Sequence, residues 1–295
     1  MTLVQHRTPL VGSRPAVTPA LGDRVGLIGG SHGDAVFLRS AAGILARRGC
    51  TSLVQLGDFG MIWRGTRAES VALNQLNQSL KQVGLALHVV LGNDENHDLI
   101  NMLPTDRLGV RHVFSNIRLL PRSGVVLAGR GGAYDPVHVI GWLSGAASAD
   151  RSLRQPGVNW WPDELTTDDQ ARALLETPVS PDVVFAHEAL VTPGLQARLD
   201  DQGPWDPHDL AYAEAARHEH TERVLSVLDP TKETLLVSSH HPFRHSEQAT
   251  VQRWSTDSHP ERLRVRQEVL DREWMPGALA VLDLSGPLPH LEVLQ

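Results

Sequence analysis

The chain has 295 residues, with 27 Lys and Arg against 34 Asp and Glu, a formal net charge of −7 and a single cysteine. A net negative charge argues against a protein that holds nucleic acid through its overall field, but not against a nuclease whose metal ions supply local positive charge. Cys50, being alone, excludes a disulfide framework and a zinc site made of several cysteines.

The termini and the hydropathy predict a protein without a membrane segment. No apolar run approaches the roughly 18 residues that a transmembrane helix needs. Residues 1–22 contain three prolines and no continuous apolar stretch, which predicts a flexible N-terminal leader and not a signal peptide. We therefore expect one domain over residues 23–295 and a cytoplasmic location.

Strands and helices alternate through the first third of the chain. Short apolar runs predict strands at 24–29, 51–56 and 85–91, and helical spacing of apolar residues predicts helices at 35–48 and 68–83. This alternation is typical of βαβ units and a largely parallel sheet, so the predicted fold class is α/β.

The rest of the chain is richer in strands. The segment 137–161 contains Gly, Trp and Arg without a clear period, and we interpret it as a surface excursion. Two helices are predicted, at 167–176 and 212–228. Further strands are predicted at 110–114, 117–120, 124–128, 182–185, 233–237, 263–269, 279–284 and 291–294.

Polar side chains follow five of the predicted strands, at the point where each strand ends. Ligands of open α/β sheets bind beyond the carboxyl ends of the strands, and imidazole together with carboxylate suits Zn, Mn or Fe. Histidine is also abundant here, with 15 residues. The five loops are Gly29-Gly30-Ser31-His32-Gly33-Asp34, Gly57-Asp58-Phe59-Gly60, Gly92-Asn93-Asp94-Glu95-Asn96-His97, Ala186-His187-Glu188 and Ser238-Ser239-His240-His241-Pro242.

Over residues 24–284 these loops resemble the motifs of the calcineurin-like metallophosphoesterases. The resemblance implies a two-layered β-sandwich flanked by helices, in the order α-β-β-α. It also implies two divalent ions bridged by one aspartate, with a hydroxide that attacks phosphorus. A weaker similarity to phage and actinobacterial members lies in Gly131-Gly132-Ala133, Asp150-Arg151 and Trp160-Trp161-Pro162.

Carried over position by position, the resemblance implies one complete metal site, made of Asp58, Asn93, His187 and His240. The other site keeps only His32 and the shared Asp58, because Gly30 and Pro242 stand where the family has ligands. The implied cofactor is a divalent metal (Mn, Fe, Zn or Ni). We expect one ion, and a second ion only if neighbours such as His241 and Asp34 rebuild the degraded site.

The catalytic candidates are His32 and Asp94. Asp94 stands where the family has the histidine that protonates the leaving group. A nearby dication keeps a carboxyl group ionised, which argues against proton donation by Asp94 and leaves metal coordination as its alternative. Arg244 and His245 are candidates for binding a substrate phosphate, whereas we expect His97, His218 and His220 to be solvated on helices.

The expected function is metal-dependent hydrolysis of a phosphomonoester or phosphodiester. The expected partner is a phosphorylated small molecule or a nucleotide, and nucleic acid is not excluded. The alternative is a catalytically impaired relative that binds a phosphorylated ligand or a protein partner without turnover. The coordinated loss of one metal site and of the usual proton donor motivates that alternative. A single open-sided ion could also serve a different metal chemistry.

Overall fold

The computed structural model describes residues 21–129, 136–200, 206–254 and 259–295. The predicted leader lies outside the described residues except for its end, as does the Gly131-Gly132-Ala133 turn. Leu21 is buried and forms a bridge with Ala128. The chain at this point is therefore already part of the packed structure.

The first sheet has seven strands, in the spatial order β13-β12-β1-β2-β3-β5-β4. Four neighbours, β1, β2, β3 and β5, run parallel, and the outer strands are antiparallel. The parallel centre places the carboxyl ends of β1, β2 and β3 at one edge. The strands are β1 (Arg24–Ile28), β2 (Ser52–Gln55), β3 (Leu87–Val89), β4 (Arg111–Phe114), β5 (Ile117–Leu119), β12 (Leu279–Asp283) and β13 (His290–Val293).

The second sheet has six strands, in the order β10-β11-β9-β8-β7-β6. Its inner strands β7, β8, β9 and β11 are parallel, whereas β6 and β10 pair antiparallel at the edges. The strands are β6 (Ser123–Ala128), β7 (His138–Leu143), β8 (Val183–Ala186), β9 (Glu233–Ser238), β10 (His245–Trp254) and β11 (Pro260–Val269).

In the described part of the chain, six α-helices flank the sheets, and local capping explains where several of them begin. Thr66 forms a capping box with Glu69, and the Asp34 carboxylate accepts hydrogen bonds from the first amides of its helix. Among the described residues, no helix is long and apolar enough to cross a bilayer. The helices are α1 (Ala35–Arg47), α2 (Arg67–Gln82), α3 (His97–Met102), α4 (Asp168–Leu175), α5 (Pro193–Asp200) and α6 (Pro207–Ser226).

The alternation of side chains along the strands builds four layers. Leu53 in β2 packs with helix α1, whereas its neighbour Val54 packs with Ile140 and Phe185 of the second sheet. On the far side, Val184 of β8 lies in a third cluster with residues of α4 and α6. The fold is therefore two mixed sheets flanked by helices, and the predicted fold class is confirmed.

Some predicted elements were wrong or missing. The segment 138–143 is not on the surface but forms β7, in which every residue is buried. Its Trp142 lies against Gly124 of β6, where an added Cβ would approach the ring to 2.2 Å, so the strand pair requires this glycine. The sequence pattern also missed α5 and β10, and it started α6 too late.

Two histidines that were expected to be solvated are buried. His97 has no exposed surface, and its Nδ1 lies 3.1 Å from Arg122 Nη2. His220 is buried in α6, whereas His218 is exposed, as expected. Helical spacing could not predict which of the two histidines of α6 is buried, because both faces of this helix carry polar residues.

Candidate metal centre

The loops that follow five strands meet at one edge of the sandwich. They follow β1, β2 and β3 of the first sheet and β8 and β9 of the second. The predicted side chains come together there as two groups that share one carboxylate. We call the first the buried site (Asp58, Asn93, His187 and His240) and the second the open site (His32, Asp58 and Asp94).

Two glycines allow the loops to approach each other closely. Gly57 has φ 99° and precedes Asp58, which itself has φ 54°. A Cβ on Gly57 would lie 2.2 Å from His187 Nδ1, and a Cβ on Gly92 would lie 2.3 Å from Asp58 Oδ1. Side chains at these positions would push the candidate ligands apart, which explains the Gly-Asp and Gly-Asn pairs in the sequence.

His187 is oriented from behind by the main chain. Its Nδ1 donates a hydrogen bond to the carbonyl of Leu56 at 2.7 Å, which leaves Nε2 facing the site. That nitrogen lies 3.1 Å from Asp58 Oδ1 and 3.0 Å from Asn93 Oδ1. A fixed outer hydrogen bond of this kind is typical of metal-binding histidines.

The other two residues of the buried site are similarly oriented. Asn93 donates from Nδ2 to Ser148 Oγ at 3.1 Å, so its amide oxygen faces His187. Ser148 in turn donates to the buried Glu164 carboxylate at 2.5 Å. His240 places Nδ1 3.2 Å from His187 Nε2. Two imidazole nitrogens, an amide oxygen and a carboxylate oxygen therefore converge.

The electrostatics of the buried site favour a cation. Burial alone would raise the pKa of Asp58, but His187 and His32 outweigh it and hold that pKa well below its usual value. Burial would lower the pKa of His187, but Asp58 outweighs it and raises the pKa. Burial lowers the pKa of His240 to about 3, so this imidazole is neutral, the form that binds metals.

The donor set of the buried site fits a divalent metal ion. Its two nitrogens and two oxygens converge, and a bound cation could take the place of the proton that Asp58 favours on His187. Imidazole, carboxylate and amide oxygen suit Zn, Mn or Fe. The buried site therefore has a donor set suited to a divalent metal ion, with Asp58, Asn93, His187 and His240 as candidate ligands.

The open site lies beside it and is more accessible. His32 Nε2 is 3.5 Å from Asp58 Oδ2, and His32 Nδ1 is 2.8 Å from Glu273. The two carboxylates outweigh the effect of burial and raise the pKa of His32 to about 9, with the Asp58 contact the largest cause. Asp94 accepts a hydrogen bond from Arg154, and burial, followed by Asp58, raises its pKa.

Four sequence-predicted residues lie outside both groups. His241 lines the same cavity, but its Nε2 is 3.2 Å from Glu188, and its ring stacks on Phe243. Asp34 caps α1 and accepts from Trp274, so it does not rebuild the degraded site. Arg244 and His245 are not among the residues that line the cavity; His245 pairs with Glu247 at 3.1 Å.

Several residues that orient the site carry no sequence signal. Ser148, Arg154 and Glu273 lie in irregular segments, far along the chain from the ligands that they contact. Glu188 is the exception, since it directly follows His187 at a strand end. The ionised Glu188 lies 3.4 Å from Arg217, and Arg217, His240 and His241 overcome burial to hold its pKa well below the usual range.

The site opens into a cavity of about 510 Å³. Its floor includes Asp58, Asn93 and His240, and α5 and α6 contribute an outer wall with apolar and acidic side chains. A volume of this size is typical of small-molecule sites. The fold and the site together define an α/β sandwich protein with a candidate divalent-metal centre at the ends of its strands.

Comparison with known proteins gives similarity in structure only. No protein-family model matches the chain, and no curated protein does. A dimetal phosphatase from Danio rerio is similar with a TM-score of 0.42 and 14% identity, over 92% of this chain and 99% of that chain. A Thermus thermophilus protein gives 0.39 and 11% over the same shares. Because these TM-scores are low, we infer neither the fold nor the function of this chain from them.

Proposed function

We propose that this protein is a metal-dependent phosphoester hydrolase, acting on a phosphomonoester or phosphodiester. The observation that carries the proposal is the convergence of Asp58, Asn93, His187 and His240 next to a cavity that Asp58, Asn93 and His240 line. The motif resemblance to metallophosphoesterases supports the same reaction class. A divalent ion in such a site supplies Lewis-acid polarisation and lowers the pKa of water for attack on phosphorus.

The residues of the chain would hold and orient the ion. Asp58 contributes its two carboxylate oxygens to the two halves of the site. Ser148 holds the Asn93 amide, and Leu56 holds the His187 ring, so the ligands need little reorganisation. Preorganised ligands of this kind are what electrostatic catalysis requires.

The groups that could donate a proton to the leaving group restrict which substrates the site could cleave. Asp94 occupies the position of the family's proton donor but is paired with Arg154, which stabilises its ionised form. Burial and Asp58 raise the pKa of Asp94 against this ion pair, but a divalent ion at the adjacent site would favour the ionised carboxylate, so we infer that Asp94 does not protonate a poor leaving group. We infer a preference for phosphoesters whose leaving group has a low pKa, carried by a small molecule or nucleotide that fits a cavity of about 510 Å³.

The test is hydrolysis of p-nitrophenyl phosphate and bis-p-nitrophenyl phosphate by protein freed of metal with a chelator and reloaded with Mn²⁺, Zn²⁺, Fe²⁺ or Ni²⁺. We expect activity only after reloading, and its loss in His240→Gln. His218→Gln, a change of the same kind at an exposed histidine of α6, serves as the matched control. Metal-independent activity, or full activity of His240→Gln, would contradict the proposal.

A second candidate is a binding protein that has lost turnover. The Asp94–Arg154 ion pair and the absence of donor side chains at Gly30 and Pro242 favour it. This candidate predicts that a metal binds and that a phosphorylated ligand or protein partner binds, while no ester is cleaved. Calorimetric binding of a nucleotide to metal-loaded protein that shows no hydrolysis would decide for it.

A further inference from the structure

The open site lacks the side chains that the resemblance leads one to expect. Neither Gly30 nor Pro242 has a side-chain atom that could bind a metal. An added Cβ on Gly30 would lie 3.0 Å from His32 Cε1, because the His32 ring covers this glycine. A longer side chain at position 30 therefore conflicts with His32 as it stands, and another residue must supply any missing ligand.

We propose that His32, Asp58 and Asp94 form a second divalent-metal site, in which Asp94 replaces the ligand lost at Gly30. This inference rests on the proposed function, since it adds a second ion to the same centre. One donor atom from each of the three side chains lies within 4.8 Å of the others. Further contacts, described below, orient each of the three toward the same point.

His32 is prepared as a ligand by a carboxylate behind it. Its Nδ1 donates to Glu273 Oε2 at 2.8 Å, which directs Nε2 to Asp58 Oδ2. Glu273 precedes Trp274, whose indole donates to Asp34 at 2.7 Å and so ties this loop to α1. A carboxylate–histidine pair of this type orients metal-binding imidazoles and raises their basicity.

Asp58 can serve both sites because its two oxygens face different partners. Oδ1 faces His187 at 3.1 Å, and Oδ2 faces His32 at 3.5 Å. The left-handed backbone at Asp58, with φ 54°, holds the carboxylate between the two groups. An aspartate that faces two ligand groups in this way is suited to bridge two ions.

Asp94 is fixed next to Asp58 from both ends. Its backbone amide donates to Asp58 Oδ1 at 2.9 Å, and its Oδ1 accepts from Arg154. Asp150 holds the other side of that guanidinium at 2.6 Å. Among the described residues, none donates a hydrogen bond to Asp94 Oδ2. That oxygen is the one available to an ion.

The ligand chemistry indicates which ion fits. One imidazole and two carboxylates form a harder donor set than the buried site, with its two imidazoles, and such a set suits Mn²⁺. The His32 side chain is 40% exposed, so the ion retains open positions and binds more weakly than at the buried site. We therefore expect two Mn²⁺ ions of unequal affinity.

The experiment measures Mn²⁺ content per chain by elemental analysis and Mn²⁺ positions by anomalous X-ray scattering. Wild-type protein is expected to hold two ions that share Asp58. Asp94→Asn is expected to keep one ion at the buried site and to lose the other. Glu273→Gln, which keeps the shape of the acceptor, is expected to weaken the second ion about 10-fold in calorimetry. Circular dichroism checks that each variant is folded.

Glu214→Gln is the matched control, because it removes a charge from the lining of the same cavity but leaves the three ligands and the contacts that orient them in place. It is expected to retain both ions. One ion in the wild type, at the buried site, would overturn this inference and leave the proposed function standing. Two ions in a folded Asp94→Asn would also overturn it. No ion at either site in the wild type would overturn both proposals.

Discussion

The buried and open sites share Asp58 but differ in what holds their other residues. At the buried site, His187 has no exposed surface, and its ring is fixed by a main-chain carbonyl at 2.7 Å. At the open site, the side chains of His32 and Asp94 are 40% and 28% exposed, and both are oriented by charged side chains from distant loops. The geometry of the buried site therefore depends on strand ends, whereas the geometry of the open site depends on loops.

This difference indicates at which site another residue could replace a candidate ligand. Ligands of the buried site stand directly after β2, β3, β8 and β9, and Gly57 and Gly92 leave no space for alternatives. The open site is partly solvated, so another carboxylate can reach it from a loop. Ligand replacement is therefore expected at the open half, which is where Gly30 and Pro242 stand.

The largest effect is expected from Asp58→Asn, because this residue serves both halves. Asparagine tolerates the left-handed backbone but removes the shared negative charge. We expect both ions to be lost and kcat/KM to fall by more than about 100-fold, beyond what outer partners of metal sites usually contribute. Metal analysis and the ester assay measure this. A folded variant with full metal content would show that Asp58 is not the bridge.

A matched pair of histidine changes separates the two halves. His240→Gln removes a ligand of the buried site, and His32→Gln removes one of the open site. We expect a loss in kcat/KM of about 100-fold for the first and about 10-fold for the second, a range typical of perturbed metal sites. Equal losses would contradict the unequal roles of the two halves, and mapping the ions that remain would show which site each change empties.

Ser148→Ala should weaken the buried half alone. The hydroxyl holds the Asn93 amide at 3.1 Å and donates to Glu164, and among the described residues it makes no hydrogen bond to His32, Asp58 or Asp94. We expect the dissociation constant of the tighter ion to rise about 10-fold, as for other outer partners of metal ligands. Calorimetric Mn²⁺ titration measures it, with the exposed Ser152→Ala as control. An unchanged affinity would mean that Ser148 does not position Asn93.

A change at His88 is expected to have no effect on the candidate metal centre. This histidine instead contributes to the pH dependence of stability, which serves as a reference for pH experiments on the buried and open sites. His88 is buried in β3, and burial, then Arg118 and His112, lowers its pKa from 6.5 to about 4. Below pH 6.5 the unfolded chain binds a proton that the folded chain rejects. The free energy of unfolding should therefore fall between pH 6.5 and 4, by a few kcal/mol at most.

Denaturant unfolding of metal-free protein at several pH values measures this slope. His88→Leu should reduce it between pH 6.5 and 4, with the buried His220 and His240 accounting for a remaining part, whereas His218→Gln, which changes an exposed histidine, should not reduce it. An unchanged slope in His88→Leu would assign the pH dependence to other groups. Mn²⁺ binding at neutral pH should be unaffected, since His88 lies outside both sites.

Much of the fold could be predicted from the sequence, because the inner strands are short apolar runs that composition identifies. Short apolar runs located β1, β2, β3, β8 and β9, and the polar residues after them predicted one edge where the ligands would meet. Parallel strands bring their carboxyl ends to the same edge, so the five loops could be grouped without coordinates, and the motif resemblance implied Asp58, Asn93, His187 and His240 within them. The same pattern did not predict β7, because a histidine and a glycine interrupt its apolar run, although every residue of this strand is buried.

The residues that decide the open site came only from the tertiary structure. Glu273 and Arg154 approach His32 and Asp94 from loops far along the chain, and nothing in their local sequence marks them. His241, one residue beyond His240, is instead directed toward Glu188. Adjacency in sequence predicts a shared strand end, but side-chain direction depends on neighbours across the sheets. The sequence therefore determined where a metal centre would lie, and packing decided which side chains complete it.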